Sequence, residues 1–170
     1  MGALRNFIDY VARQQISGLG SIYAPITALT YESEITTNVI GSSTLGSFTD
    51  TGCSITLPAG KYLVSFAVAM AIDGASPGTG VQFVFSKVVF TKADNTIITG
   101  AIDGNAGGTS PASDCALCSK TFLLTVATET TFKTRFAAFP NSGTPTITGI
   151  TAYGDASFPL SLSAVKIGTA

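Results

Sequence analysis

CSITLPAGKYLVSFAVAMAI, spanning Cys53 to Ile72, carries two strand signals on either side of a turn. Ile55 and Leu57 lead into Pro58-Ala59-Gly60, and beyond the break Tyr62, Val64, Phe66, Val68, Met70 and Ile72 recur at every second position. That is the period of a strand, not of a helix. The other face of the same strand carries Leu63, Ser65, Ala67, Ala69 and Ala71, which are small and uncharged. A strand apolar on one side and charge-free on the other is expected to be central, its small face covered by a neighbouring sheet or a second subunit.

Downstream, the chain alternates short apolar runs with turn chemistry. DGASPGTG (73–80) reads as a loop; in VQFVFSKVVF (81–90) Phe83, Phe85 and Val89 share a face interrupted by Lys87, and Val84, Val88 and Phe90 share the other. KADNT (92–96) predicts a hairpin turn into Ile97 and Ile98. AIDGASPGT from Ala71 is echoed by AIDGNAGGT from Ala101, which predicts two loops of similar chemistry at one end of a sandwich. Asp73, Gly74, Asp103, Gly104 and Asn105 are the candidate partner-facing residues of those loops. Plain turn formation and a shared calcium ion are the alternatives, although the alternating acidic ligands of a specific calcium loop are missing.

Further strands are predicted over Cys118–Ala127, Thr131–Phe139, Ile147–Tyr153 and Leu160–Gly168. Upstream, Ile26–Tyr31 and Ile35–Ile40 are β-prone, with Glu32 and Glu34 facing solvent, and Gly41–Gly52 is loop-like. The sum is an all-β fold, an antiparallel jelly-roll sandwich of about eight strands. Residues 31–170 form that domain, and residues 1–30 are a helix, a linker and a docking segment. Leu4, Phe7, Ile8 and Val11 fall on one stripe of a short amphipathic helix, with Arg5, Asp9 and Arg13 around it. A helix of about twelve residues is marginal alone in water, so the stripe docks on its own domain, another subunit or a larger assembly.

Composition narrows the function. Charged residues are 11% of the 170, well below the roughly 25% usual in globular proteins, while apolar residues are 45%. The polar surface is therefore built from Ser, Thr, Asn and Gly, which is cheap to desolvate and favours subunit contact. A net charge of −1 without a basic run leaves no footprint for nucleic acid. No segment reaches the ~20 apolar residues of a membrane span. The first residues lack an unbroken apolar signal core, which predicts assembly in a cytoplasm.

Catalytic chemistry is not visible. With no histidine there is no imidazole base, and no Gly-rich phosphate loop opens a helix. Asp73 with Asp103 is the only carboxylate pair to consider. Cys115 and Cys118 have CxxC spacing, but only one further cysteine is present, so structural thiols are expected rather than a metal or a redox pair. No cofactor and no metal is expected.

LPAGKYLV (57–64), VFTKADNTIITG (89–100), SKTFLLTV (119–126) and the closing SLSAVKIG (161–168) together resemble the compact jelly rolls at the tips of bacteriophage fibres, which are similar to the complement-type and tumour-necrosis-factor-like heads. The resemblance covers about residues 35 to 168. It implies a homotrimer in which small or aromatic strand faces meet around a three-fold axis. Only a short segment precedes the domain, so the expectation is a small virion protein: a capsid decoration protein, a head fibre or a tail-mounted adhesin. Its partners would be other virion proteins and, for an adhesin, a host surface receptor.

Overall fold

The computed structural model of the chain describes residues 29–73, 83–107, 115–140 and 146–170. Ten strands run through them: β1 (Thr30–Ile35), β2 (Val39–Ile40), β3 (Thr49–Leu57), β4 (Gly60–Asp73), β5 (Phe83–Lys92), β6 (Ile97–Gly107), β7 (Cys115–Val126), β8 (Thr130–Pro140), β9 (Gly149–Tyr153) and β10 (Leu160–Gly168). The short β9 falls within the expected Ile147–Tyr153 strand and β2 within the β-prone Ile35–Ile40 stretch; the other eight make up the rest of the jelly roll. The predicted N-terminal helix, with Leu4, Phe7, Ile8 and Val11, lies outside the described residues.

β4 organises the first sheet, as its alternation predicts. One of its edges pairs along almost its full length with β7, from Gly60↔Val126 to Ala71↔Cys115. The other edge is divided: β10 pairs with Lys61–Ala67 and β9 with Ala69–Asp73, while β1 and β2 add outside β10 and β9 respectively. The second sheet has the order β3-β8-β5-β6. Every pair is antiparallel.

Between the sheets lie Tyr62, Val64, Phe66, Val68 and Met70 of β4, Leu160 and Leu162 of β10, Val84, Val88 and Phe90 of β5, and Phe132 and Phe136 of β8, all buried. Phe90 holds the layers together: it stacks on Phe132 at 5.0 Å between ring centroids and meets Phe122 of β7 edge-on at 5.2 Å. Cys53 and Cys118 are buried in this core, their thiols donating to the carbonyls of Leu160 (3.3 Å) and Ser86 (3.6 Å). Burial pushes the Cys53 thiol above its ordinary pKa and keeps it protonated.

The Pro58-Ala59-Gly60 break is the corner at which the chain passes from the second sheet to the first. Two separated sequence features clasp it. The Tyr62 hydroxyl donates to the Pro58 carbonyl at 2.8 Å, and Lys166 Nζ donates to the Ala59 carbonyl at 3.0 Å while lying 6.0 Å from the Tyr62 ring centroid. The turn motif and the chain's closing Ala-x-Lys-x motif thus meet in one place.

Two segments read as loops are strands. Thr49–Gly52 begins β3, where the register shifts between Asp50 and Ser54 and Gly52 takes a φ of 89°. The Thr51 hydroxyl, 2.6 Å from that of Thr134, ties this bulge to β8. Ala101–Gly107 completes β6, with Ser86↔Asp103 and Val84↔Ala106 in register, so Gly104 and Asn105 together oppose Phe85 in a second bulge. At the start of the described residues β1 runs over Thr30–Ile35, the first half of the expected Ile26–Tyr31 stretch lies before them, and Glu32 and Glu34 are exposed as expected.

One buried hydroxyl in β5 has no hydrogen-bond partner, Thr91 Oγ1. An unsatisfied buried polar group costs about 1–3 kcal/mol, so Thr91→Val is expected to raise stability by roughly 1 kcal/mol in urea unfolding. A loss of stability would show that the hydroxyl is satisfied in solution.

Candidate interaction surfaces

The outward face of the first sheet is set by the residues of β4 that alternate with its core side chains. Register aligns them in rows across four strands: Thr30, Val165, Leu63 and Leu123; Glu32, Ser163, Ser65 and Thr121; Glu34, Ser161, Ala67 and Ser119. Leu63 is 41% exposed, Leu123 72% and Leu117 59%. Ser65 and Thr121 satisfy one another at 2.8 Å, which removes part of the polar demand of the middle row. Charge is confined to Glu32 and Glu34 at the β1 margin and Lys61 at one end. Along β4, the small face of the sequence is thus a half-open surface that no second sheet of the described residues covers.

Phe158 stands beside this face. A β-carbon on Gly154 would come within 2.5 Å of the Ile35 carbonyl oxygen, so glycine is needed where the β9–β10 connection leaves the sheet. Asp155 then accepts from the backbone N–H groups of Ser157 (2.6 Å) and Phe158 (2.8 Å), fixing the turn. The result is a phenyl ring 75% exposed, held at the wall of a groove of about 450 Å³ floored by Ala67 and Ala69 and closed on the far side by Leu117.

A second surface lies on the outward side of the other sheet. Phe139 of β8 stacks with Phe85 of β5 at 5.6 Å and meets Phe48, which precedes β3, at 5.5 Å. Lys87 Nζ lies 5.3 Å from the Phe139 centroid, and the Arg135 guanidinium 5.6 Å from that of Phe48. Both are within cation–π range. Arg135 also donates to Asp50 at 2.7 Å and to the Phe48 carbonyl at 2.8 Å, while Lys133 shares Asp50 at 2.9 Å. Val89 and Ala137 have no exposed surface although they lie outside the main core cluster, so the rings and long side chains cover them.

Of the residues singled out in the sequence, Asp73 ends β4 opposite Gly149, and Asp103, Gly104 and Asn105 lie within β6. Gly74 falls outside the described residues. Asp73 and Asp103 belong to strands of different sheets, and the second AIDG stretch is paired backbone. Its bulge puts Gly104 and Asn105 in register with Phe85, beside the aromatic patch. The sequence reading did not find that patch: its residues come from three strands and one loop, and only the alternation of Phe85 with Lys87 and of Lys133 with Arg135 hinted at a common face.

A six-stranded layer, β7-β4-β10-β1 with the short β9-β2 pair, and a four-stranded layer, β3-β8-β5-β6, make the protein a jelly-roll sandwich. No family model matches the chain, and no curated protein matches it. Among solved structures, Eiger TNF from S. frugiperda is similar at 13% identity and a TM-score of 0.48, covering 84% of this chain and 94% of that one. Murine APRIL is similar at 10% identity and a TM-score of 0.42, covering 82% of this chain and all (100%) of that one. A mutant VP2 protein of infectious bursal disease virus, in derived T=1 particles, is similar at 13% identity and a TM-score of 0.44, covering 82% of this chain and 36% of that one.

Proposed function

We propose that the protein is a non-enzymatic structural component of a bacteriophage virion, a homotrimer anchored through its N-terminal segment to the capsid as a decoration or head-fibre protein, or to the tail. The observation that carries the trimer is the outward face of the first sheet, an apolar and hydroxyl-lined surface left open in one copy. A single copy also offers a different apolar edge where the sheets end, with Ile97 (53% exposed) and Ile98 (38%) on β6, Ile98 lining a shallow cleft with Leu124 of β7. Edge of one copy on face of the next is a heterologous contact, which closes into a ring when the rotation is 120°. Burial of such a surface yields about 25 cal/mol per Å² of apolar area, with little desolvation cost because charge is marginal. The virion assignment is supported by the resemblance of residues 57–64, 89–100, 119–126 and 161–168 to phage fibre-tip jelly rolls.

A receptor-binding adhesin tip, recognising a host surface glycan or protein, is the second reading. The aromatic and cationic patch favours it, since in a trimer closed over the first sheet that patch faces outward. Antibody against the folded domain, imaged on assembled particles by electron microscopy, separates the readings. Label over the head is the expected result for a decoration protein; label confined to tail appendages selects the adhesin, and unlabelled particles refute a virion role.

A further inference from the structure

We propose that the patch formed by Phe48, Phe85, Lys87, Arg135 and Phe139 docks an extended peptide segment of a partner protein, one carrying acidic and apolar side chains on the same side. The inference concerns a single sandwich and holds whether or not the chain is trimeric.

Charge gives the first argument. Three of the chain's nine lysines and arginines, Lys87, Lys133 and Arg135, gather here around one described carboxylate, Asp50. Asp50 is already engaged by Lys133 and Arg135, and among the residues whose side chains are described no carboxylate forms an ion pair with Lys87. In a protein with so few charges, a local excess of cations is the feature that selects a partner of opposite sign. Lys87 is half-buried with its ammonium near an aromatic ring, so part of its desolvation is already complete before a partner carboxylate arrives.

Geometry decides between a peptide and a sugar. A sugar ring needs an open aromatic face and acceptors for its hydroxyl groups. Phe139 is stacked by Phe85 at 17° between planes and approached by Lys87, and the Phe48 ring is approached by Arg135. Among the described side chains the one carboxylate at hand is occupied, so it offers no free acceptor to glycan hydroxyls. Apolar side chains, by contrast, pack on ring edges without polar demand, and a carboxylate two residues along an extended chain lies on the same side at about 7 Å. That spacing suits rings adjoining a lysine.

The test uses fluorescence anisotropy with the full chain and labelled eight-residue peptides. The probe alternates Leu and Glu at every second position with Ser between, so that both kinds face one way. Controls replace Glu by Lys, or Leu by Ser, and polysialic acid serves as an anionic glycan. Binding of the Leu-Glu probe is expected to exceed each control peptide at least tenfold, and to weaken at least tenfold both with Lys87→Glu and between 50 and 300 mM salt. Phe85→Leu, which keeps an apolar side chain but removes the stacked ring, is expected to weaken binding as well, with the melting temperature confirming that each variant is folded. No binding, equal binding of the Lys control, indifference to both substitutions, or Lys87-dependent capture of polysialic acid without the peptide would each overturn the proposal. Variants of the first sheet's open face leave this binding unchanged, which keeps the result separate from that of the trimer.

Discussion

A chain carrying Leu63→Glu and Leu123→Glu together is expected to sediment as a folded monomer at micromolar concentration, where the unsubstituted chain sediments as a trimer. Leu63 and Leu123 are register partners on β4 and β7, and both point away from the core. In one copy the new carboxylates stay in water, so the sandwich loses only the modest cost of like charges opposite one another, roughly 0.2–1 kcal/mol. In the assembly they are buried without a partner, at several kcal/mol each. Even about 4 kcal/mol lowers an association constant roughly a thousandfold. Sedimentation velocity with a circular dichroism spectrum reads both halves of the expectation. A persistent trimer would move the interface elsewhere on the molecule, and an unsubstituted chain that is monomeric would refute the trimer itself.

The second large effect is in the core. Phe90→Ala removes a ring with no exposed surface that is stacked on Phe132 and set edge-on to Phe122, thereby unlinking β5, β8 and β7 at once. Large-to-small changes of this kind cost about 3–5 kcal/mol. Domains of this size commonly have only about 5–15 kcal/mol in total. Urea unfolding in the Leu63→Glu, Leu123→Glu background avoids the concentration dependence that association brings. The midpoint is expected to fall by a third or more, whereas Phe90→Leu, which fills most of the cavity, should fall much less. Similar losses for the two variants would mean that the ring's specific contacts matter more than its volume.

How far these features could be read from sequence depended on whether one residue's neighbours lie along the chain or across it. Tyr62 to Ile72 announced a buried strand because burial on a strand repeats every second residue, whereas its small face, expected to be covered by a neighbouring sheet or a second subunit, is half-open in one copy. Thr49–Gly52 did not, because a glycine at positive φ and a run of hydroxylated residues carry turn chemistry even when a bulge absorbs them into β3. Ala101–Gly107 misled in the same way: Asp, Gly and Asn are poor strand formers, and β6 admits them as an edge strand with a bulge at Gly104 and Asn105. The aromatic patch was beyond reach, since Phe48 meets Phe139 only through the pairing of β3 with β8. Lys166 was visible as part of a closing motif, but its grip on the Ala59 carbonyl was not.

Finally, β10 has a bearing on when copies of the protein can find one another. It lies between β1 and β4, pairing Val165 with both Thr30 and Leu63, yet of the ten strands it is the last to leave the ribosome. Until then the nascent polypeptide has β1 and β4 made but unjoined, and the row through Thr30, Val165, Leu63 and Leu123 does not exist. If the trimer closes over that row, as proposed, ordered association waits until synthesis has passed residue 168, and until then the unjoined edges of β1 and β4 are the surfaces a nascent chain must keep from pairing wrongly.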